Sequence, residues 1–412
     1  MERECDRISN LPDPLLEHIL TFLPTKYAIR TGVLSKRWKG LWVSQPYISL
    51  SHDGLNGRIV EFKNLSIRDR TVKVSKYKNF FDKILLHPQA RVKKLQISAP
   101  ERLEALEFNR WFQAIMKEGL EELNLDFAIF SDAPVSILTV CNTLVTLKLD
   151  FGALSAHKFP KSFYFPNLKT MQLCGFILAN NFTYQLLQSK NLESLILTYF
   201  MFDLMSRDSM PDCFEQKKAL PNLNYAQMNC PYTFRGEDST HFFLKNMIDV
   251  VSNAKDLNLS LSIMEYLAHD DLPEFNNLKH IKLYVQSFHV RAMCYILQKA
   301  LNLESLHIEF IRPYGNVPLM LEELRSCCSQ ANLKVIQMTN FILEEDLVLD
   351  LVKLILESTG SLKDIVIELV EQPTMNNFLR CQKLLKLPRI SECCILHLKW
   401  DFNYSYYTYH LR

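Results

Sequence analysis

The phrase LESLILT at residues 192–198 has apolar residues at its first, fourth and sixth positions, and this pattern decides the fold. The pattern recurs ten more times along the chain, at steps of 24 to 31 residues. Self-similarity at such a period is typical of repeat proteins, in which each unit buries its apolar face against the next. The eleven phrases begin at Val92, Leu120, Leu144, Leu168, Leu192, Leu223, Ala254, Leu278, Leu303, Leu333 and Leu362.

The mean step of 27 residues predicts leucine-rich repeats of a divergent kind. Successive side chains of a strand point to opposite faces, so the fourth and sixth residues of a phrase share one face. We therefore expect an α/β solenoid, with parallel strands on a concave surface and helices on the convex one. Between phrases, Phe80, Phe81, Ile84 and Leu85 fall on one face of a predicted helix.

Two further residue types recur with the phrases. A phenylalanine often follows the phrase, which we interpret as a packed core spine: Phe127, Phe151, Phe176, Phe200, Phe310 and Phe341. An asparagine often precedes it, where we expect it to serve a turn. These asparagines are Asn167, Asn191, Asn222, Asn277, Asn302 and Asn332.

Composition argues against several classes of function. The 47 Lys and Arg residues nearly balance 45 Asp and Glu residues, whereas a nucleic-acid-binding domain usually carries a large basic excess. Only 10 glycines are present, and no phosphate-binding loop occurs. No apolar run reaches the roughly 18 residues of a membrane span. The charged start MERECDRISN and eleven scattered cysteines without a C-x-x-C pair predict a nuclear or cytosolic protein with reduced thiols.

The first fifty residues differ from the rest. Asp13 followed by Pro14 predicts a capped helix start, and Pro24 predicts its end. Thr25 and Ser35 are further candidate caps for two short helices. Leu15, Leu16, Ile19, Leu20 and Leu23 form an apolar stripe, and Trp38, Leu41 and Trp42 add to it. This is more apolar surface than so small a module can bury, so it either packs on the repeats or awaits a partner.

This module resembles an F-box of the plant type. The resemblance rests on Leu11-Pro12, Leu23-Pro24 and the block VLSKRW at residues 33–38 followed by Leu41-Trp42. In that family the module binds the Skp adaptor of a Skp–cullin–F-box ubiquitin ligase. The resemblance implies these contact residues: Leu11, Pro12, Leu15, Ile19, Leu20, Pro24, Val33, Leu34 and Trp38. Leu16, Leu23, Leu41 and Trp42 are alternatives that could form the module's own core.

The C-terminal region is similar to the FBD region of plant F-box/leucine-rich-repeat proteins. It includes a predicted amphipathic helix at Glu344–Glu357 between two phrases. The family's tail motif corresponds to Ser391-Glu392-Cys393-Cys394, which departs from the common pattern. We therefore predict four parts: an F-box at 1–50, repeats at 51–331, an FBD-like region at 332–400 and a tail at 401–412.

The concave face is the candidate site for a protein target. The strand positions between its apolar residues are polar and mixed in charge. The alternative to a binding surface is that they form only the solvent-exposed face of a sheet. They are Asn124, Asp126, Lys148, Asp150, Gln172, Gln227, Asn258, Lys282, Tyr284, His307, Glu309 and Gln337. No catalytic constellation, metal-ligand spacing or cofactor motif appears, so no cofactor or metal is expected.

The F-box resemblance and the repeats together favour a non-catalytic adaptor. Its repeats would hold a protein target, and its F-box would bind Skp, which connects to the cullin and RING subunits of the ligase. One alternative is a ligand-sensing F-box receptor, although no Arg/Lys cluster occupies the strand positions. The others are a scaffold without degradation, or an enzyme in the insertion 199–253, which carries Asp203, Asp208, Asp212 and Glu215 without a motif.

Overall fold

A computed structural model describes most of the chain. The described residues are 7–51, 79–88, 91–99, 105–116, 119–127, 139–153, 157–203, 219–230, 238–260, 263, 272–285, 290–310, 332–341, 346–369 and 375–400. They fall into two compact units. The N-terminal unit comprises residues 1–192 and 196–208, and the C-terminal unit comprises 193–195 and 209–412.

The N-terminal unit begins with short helices and continues into parallel strands. Its helices are α1 (Asp13–Thr21), α2 (Thr25–Arg30), 3-10 turns at Thr31–Val33 and Trp38–Ser44, a helical stretch over 79–85, α3 (Ala105–Met116) and α4 (Phe182–Leu186). Its strands are β1 (Tyr47–Ser51), β2 (Lys94–Ala99), β3 (Glu122–Phe127), β4 (Thr146–Asp150), β5 (His157–Lys158), β6 (Thr170–Cys174), β7 (Phe176–Leu178), β8 (Ser194–Thr198, at the unit boundary) and β9 (Met201–Phe202).

The C-terminal unit alternates strands with longer helices. Its strands are β10 (Tyr225–Asn229), β11 (Asp256–Ser260), β12 (His280–Val285), β13 (Ser305–Phe310), β14 (Val335–Phe341), β15 (Asp364–Leu369) and β16 (Ile395–Trp400). Its helices are α5 (Asp238–Val251), α6 (Val290–Lys299), α7 (Asp346–Ser358) and α8 (Met375–Leu385).

In both units the repeat strands are parallel and paired in sequence order. The order is β1-β2-β3-β4-β6 in the N-terminal unit and β10 to β16 in the C-terminal unit. Each of the eleven phrases gives a strand that starts two residues after its first residue. The prediction of parallel repeat strands is confirmed.

Burial alternates along these strands as the phrase predicts. In β4, Leu147 and Leu149 are buried, whereas Lys148 between them is half-buried. The same alternation holds in β8, β10, β13 and β15. One face of each sheet is therefore packed, and we call the other the open face. The packed face is covered by connecting segments such as the helical stretch 79–85, which buries Phe81, Ile84 and Leu85.

The sequence did not predict every strand. β1 lies at the end of the F-box segment and pairs with β2, so Tyr47–Ser51 is the first strand of the sheet. β16 likewise carries no phrase and pairs with β15. A second small parallel sheet, β5-β7-β9, follows the main strands of three repeats. β1 and β16 do not carry the repeated phrase, and two-residue strands are too short to show an alternation of apolar and polar residues, so no signal for them was visible in the sequence.

The phenylalanine spine is confirmed where its side chains are described. Phe151, Phe176, Phe200 and Phe310 are all at most 3% exposed. Phe151 and Phe176 meet edge to face, with ring centroids 5.1 Å apart. The side chains of Phe127 and Phe341 lie outside the described set.

The recurring asparagines link successive repeats. The Asn167 amide donates to the carbonyl of Asn142 at 2.7 Å, and the Asn191 amide donates to that of Pro166 at 3.0 Å. Asn302 and Asn332 make the equivalent bonds one repeat back. Backbone carbonyls outside the hydrogen-bond ladder of the strands need other partners. Each of these asparagine amides supplies one to the previous repeat, besides any role in its own turn.

The predicted helix caps are corrected by the structure. Asp13 is the first residue of α1 and makes no side-chain cap, because its carboxylate pairs with Arg37 instead. Thr25 is the first residue of α2, and its hydroxyl accepts a hydrogen bond from the Ser49 amide at 2.9 Å. The third predicted helix is the 3-10 segment Trp38–Ser44, also without a side-chain cap.

The predicted C-terminal helix and tail motif lie in the last repeats. α7 runs over Asp346–Ser358, so it ends one residue beyond the predicted helix Glu344–Glu357, whose first two residues lie outside the described residues; it buries Leu351, Leu354 and Ile355. The Ser391 hydroxyl donates to the carbonyl of Leu362 at 2.6 Å, and Arg389 donates to that of Cys394. The tail 401–412 lies outside the described residues.

Candidate functional site

The F-box segment has a small core of its own. Leu16, Leu20, Ala28 and Trp38 are buried together, and Leu11, Leu41 and Trp42 pack against them. Trp42 also meets the His87 ring edge to face at 5.7 Å, so part of the apolar excess packs on the repeats. The core is complete without several large apolar side chains of the same segment.

Those remaining side chains form an exposed apolar surface. On α1, Leu15 and Ile19 are 50% and 39% exposed, and beyond α2 Val33 and Leu34 are 88% and 64% exposed. Pro12 and Pro24 are exposed, and Leu11 is half-buried. We call this set, without Leu11, the F-box surface.

Two of the expected contact residues are placed differently. Leu20 is fully buried and Trp38 is 3% exposed, so in this structure neither presents a surface that a partner could touch. This corrects their assignment: they support the F-box surface from within. Of the residues named as alternative core members, Leu16 is buried in the core, whereas Leu23 is 36% exposed.

Sequence reasoning missed three exposed members of this region. Ile8, Phe22 and Tyr27 are 58%, 74% and 51% exposed. Phe22 follows Leu15 and Ile19 at helical spacing, seven and three residues on, so it continues their face of α1. That spacing was a usable signal, since the buried Leu16 and Leu20 lie on a different face, about 100° round the helix.

Side-chain hydrogen bonds from Arg37 and Trp38 fix the segment that carries Val33 and Leu34. Arg37 donates two hydrogen bonds to one carboxylate oxygen of Asp13, at 3.1 and 2.7 Å, and a third to the carbonyl of Ser9. The Trp38 indole donates to the Ser9 hydroxyl at 3.0 Å. These bonds hold the block at residues 33–38 against the start of α1, so the two parts of the F-box surface belong to one rigid unit.

The open face of the N-terminal unit carries the first predicted target positions. Asn124, Lys148 and Gln172 lie side by side on β3, β4 and β6. Asp126 and Asp150 are direct partners on β3 and β4. Like charges opposite each other on neighbouring strands destabilise a sheet. Such a pair favours a function outside the fold itself.

Local contacts show how the two carboxylates are held. Burial, together with the charge of Asp150, raises the pKa of Asp126, while a hydrogen bond from Ser98 opposes the rise. Asp150 accepts a hydrogen bond from the Gly152 amide at 2.9 Å, where the backbone has a φ of 80°. Burial and the neighbouring Asp150 also raise the pKa of the Cys174 thiol to about 11, which favours its protonated form near pH 7.

The open face of the C-terminal unit carries the second group. The Lys282 ammonium lies 2.5 Å from the Glu309 carboxylate and 4.9 Å above the Tyr284 ring. Burial alone would lower the pKa of Lys282, but the Glu309 carboxylate outweighs it and raises the pKa. His307 lies 2.9 Å from the Thr339 hydroxyl, and burial together with the Lys282 charge lowers its pKa. His307 is therefore neutral near pH 7.

Other predicted positions complete this face without forming a reactive centre. The Asn258 amide donates to the Tyr225 hydroxyl at 2.8 Å, which lies 2.9 Å from Gln227, and Gln337 donates to Glu368 at 3.3 Å. Within the described ranges, no three His, Cys, Asp or Glu side chains gather as metal ligands would. The same part of the chain contains no helix long and apolar enough to cross a bilayer. The arrangement can bind by hydrogen bonds, charge and stacking.

Comparison with known proteins finds matches to the F-box segment and to part of the repeats. The F-box domain model matches residues 8–49, and the model described as FBD-associated F-box protein At5g56370, LRR repeats, matches residues 108–209. Neither is a model of a catalytic domain. The insertion's Asp203 is buried and forms an ion pair with Lys158 at 2.9 Å, whereas Asp208, Asp212 and Glu215 lie outside the described residues.

Relatives from Arabidopsis thaliana match along the chain. FBD-associated F-box protein At5g22730 is 26% identical, over 94% of this chain and 93% of its own length. Putative F-box/FBD/LRR-repeat protein At5g44950 is 23% identical, over 95% and 99%. F-box/FBD/LRR-repeat protein At5g22700 is 31% identical over 42% of this chain and 36% of its own. With an N-terminal F-box domain, a parallel repeat sheet and these relatives, the chain is similar to the F-box/FBD/leucine-rich-repeat proteins of Arabidopsis, which supports the role of an F-box adaptor.

Proposed function

We propose that the chain is the substrate-recognition adaptor of a Skp–cullin–F-box ubiquitin ligase. The observation that carries the proposal is the F-box surface, where Leu15, Ile19, Val33 and Leu34 are exposed beside an already complete core. Large exposed apolar side chains concentrated in one short segment favour a protein–protein interface. The F-box implies that the partner is a Skp-type adaptor.

In this proposal the chain contributes proximity and no chemistry of its own. The Skp-type adaptor links it to cullin and the RING subunit, and the open faces of the repeats hold the protein target. Holding a target lysine near the charged ubiquitin carrier raises its effective concentration without any new catalytic group. Burial raises the thiol pKa values of Cys174, Cys381 and Cys394, which favours the protonated, less nucleophilic form and agrees with that role.

The proposal places the chain in the nucleus or the cytosol, where ubiquitin ligases of this type act. No disulfide links the cysteines that the structure describes, which suits a reducing compartment. Imaging of the tagged full chain tests this part, and accumulation in the secretory pathway would contradict it.

The test is affinity purification of the full chain from plant cells with the proteasome blocked. Truncating residues 1–50 would remove β1 from the sheet, so point variants are the cleaner tool. A Val33→Asp, Leu34→Asp double variant places two charges on side chains that are 88% and 64% exposed, which leaves the F-box core intact. We expect it to lose the Skp-type adaptor and cullin while retaining target proteins.

The matched control is Leu379→Asp, Ile390→Asp, which charges two exposed apolar side chains of the C-terminal unit, 46% and 60% exposed. It should recover adaptor and cullin as the unmodified chain does. If the Val33, Leu34 variant recovers them equally well, the interface assignment fails. If no cullin appears with any form, the ligase role fails and a scaffold without degradation becomes the better account. Targets retained only when a small molecule is added would favour the receptor alternative.

A further inference from the structure

One edge of the C-terminal unit carries a regular row of charged residues. Lys255, Lys279, Glu304, Lys334 and Lys363 each immediately precede a strand, from β11 to β15 in order. They occupy the second position of five successive phrases. We call these five residues the lysine row.

The backbone of the lysine row is fixed by paired hydrogen bonds. The Lys255 carbonyl accepts from the amides of Lys279 and His280, at 2.9 and 3.1 Å. The carbonyls of Lys279, Glu304 and Lys334 each accept two amides of the next repeat in the same way. Every member is thus anchored on a ladder whose strands lie about 4.8 Å apart.

Charges within the row are unbalanced. Glu304 bridges Lys279 and Lys334, with a carboxylate oxygen 2.7 Å from each ammonium group. Lys255 and Lys363 form no ion pair within the part of the chain that the structure describes. Four lysines against one glutamate give the row a net charge of +3, larger than the +2 of the whole chain.

The corresponding edge of the N-terminal unit shows that this excess is not a property of the repeat itself. There the second positions of the first two phrases are Lys93 and Glu121, which pair at 2.7 Å. This lysine is matched by a carboxylate on the next strand. The stacking of repeats therefore permits neutral edges, and the row at β11–β15 departs from that arrangement.

The row lines a concave site as well as carrying charge. A cavity of about 580 Å³ opens between these residues, and its remaining walls are polar. They are formed by Asn276, Asn277, Asn302, Asn332 and Ser361. Among the described residues that line it none is aromatic, so the cavity offers no platform for stacking a nucleic acid base.

We propose that the lysine row binds an acidic, extended segment of the protein target. Four strand intervals separate Lys255 from Lys363, which is about 19 Å at the usual spacing of strands. An extended chain rises about 3.3 Å per residue, so a segment of about six residues covers the row. The identification of the occupant as a target rests on the proposed function, whereas the binding itself needs no ligase partner.

The experiment measures binding to the purified full chain at about 150 mM salt, where only close charge pairs remain effective. The probe is a fluorescent peptide with a central run of about six glutamates, and the comparison peptide carries glutamines there. The test variant is Lys255→Glu, Lys363→Glu, because neither lysine has an ion pair to lose among described residues. The matched control is Lys353→Glu, Lys383→Glu, two exposed lysines on α7 and α8.

We expect the unmodified chain to prefer the glutamate peptide and the test variant to bind it about tenfold more weakly, since each reversal replaces an attraction by a repulsion. The control, with the same change of net charge, should stay within about twofold. Glu304→Gln removes the only negative charge of the row and should tighten binding by about two- to threefold.

Three results would overturn the inference. The first is no preference for the glutamate peptide by the unmodified chain. The second is an equal loss in test and control variants, which would show a response to net charge alone. The third is displacement of the peptide by single-stranded DNA at a lower concentration than by unlabelled peptide, which would make the row a nucleic-acid site. Loss of adaptor recovery in the Val33, Leu34 experiment bears on the ligase role and leaves these outcomes unchanged.

Discussion

Ile19 and Leu20 are neighbours on α1 with opposite environments, and this contrast gives the sharpest test of the F-box surface. Leu20 is fully buried against Leu16, Ala28 and Trp38, whereas Ile19 is 39% exposed. Truncating a fully buried leucine to alanine removes its transfer free energy and leaves a cavity, which costs about 2–5 kcal/mol. Truncating the partly exposed Ile19 costs less, roughly 0.5–1 kcal/mol.

The difference is at least about 1 kcal/mol, which corresponds to a factor of roughly 5 or more in the local opening equilibrium. Hydrogen exchange of the full chain, followed by mass spectrometry over α1, measures that equilibrium directly. We expect Leu20→Ala to accelerate exchange of the α1 amides by at least about fivefold relative to Ile19→Ala.

Binding of a purified Skp-type adaptor is a second measurement on these variants, and it reports on the interface and not on helix stability. Ile19→Ala should weaken binding while α1 stays protected, because an interface side chain is lost from a folded helix. Leu379→Ala, a truncation of a 46% exposed leucine on α8, should change neither readout. Equal acceleration of α1 exchange by the Ile19 and Leu20 variants would refute the division into a core and a surface.

The remaining predictions concern the repeats. Asn191→Asp replaces an amide donor by a carboxylate facing the Pro166 carbonyl, so urea unfolding should show a loss of about 1 kcal/mol, larger than for Asn191→Ala. Asp126→Asn removes repulsion from Asp150 and should raise stability at pH 7 by a few tenths of a kcal/mol while impairing target recovery; unchanged recovery would place the target elsewhere. The pKa of His307 is lower in the folded chain, so the unfolded chain binds more protons and stability should fall as pH drops below about 6.5. Thermal unfolding of His307→Gln between pH 7 and 5 should show a shallower fall, and an identical slope would contradict this assignment.

Most of the repeat architecture was predictable because its signal is local. The alternation within each phrase requires only that neighbouring side chains of a strand point to opposite faces, and all eleven phrases became strands. The asparagines before the phrases were visible as well, but their bonds to the previous repeat were not. Those bonds join residues some 25 to 31 positions apart, which only the stacking brings together.

The F-box was harder to divide from its sequence. Its apolar residues exceed what three short helices can bury, and which of them remain outside depends on the angles at which these helices pack. Leu20 and Trp38 were therefore assigned to the surface although they lie in the core. Phe22 was overlooked although its spacing from Ile19 indicated the exposed face.

The sequence by itself determined the family resemblance, the number and register of the phrase strands, and the alternation that separates a packed face from an open one. These depend on periodicities that a single strand or helix imposes on its own residues. Only the tertiary structure decided which F-box side chains are exposed, that β1 and β16 extend the sheets, and that the charges before five strands form one row. Successive members of that row are 24 to 30 residues apart in sequence, and they meet because parallel strands stack in register about 4.8 Å apart.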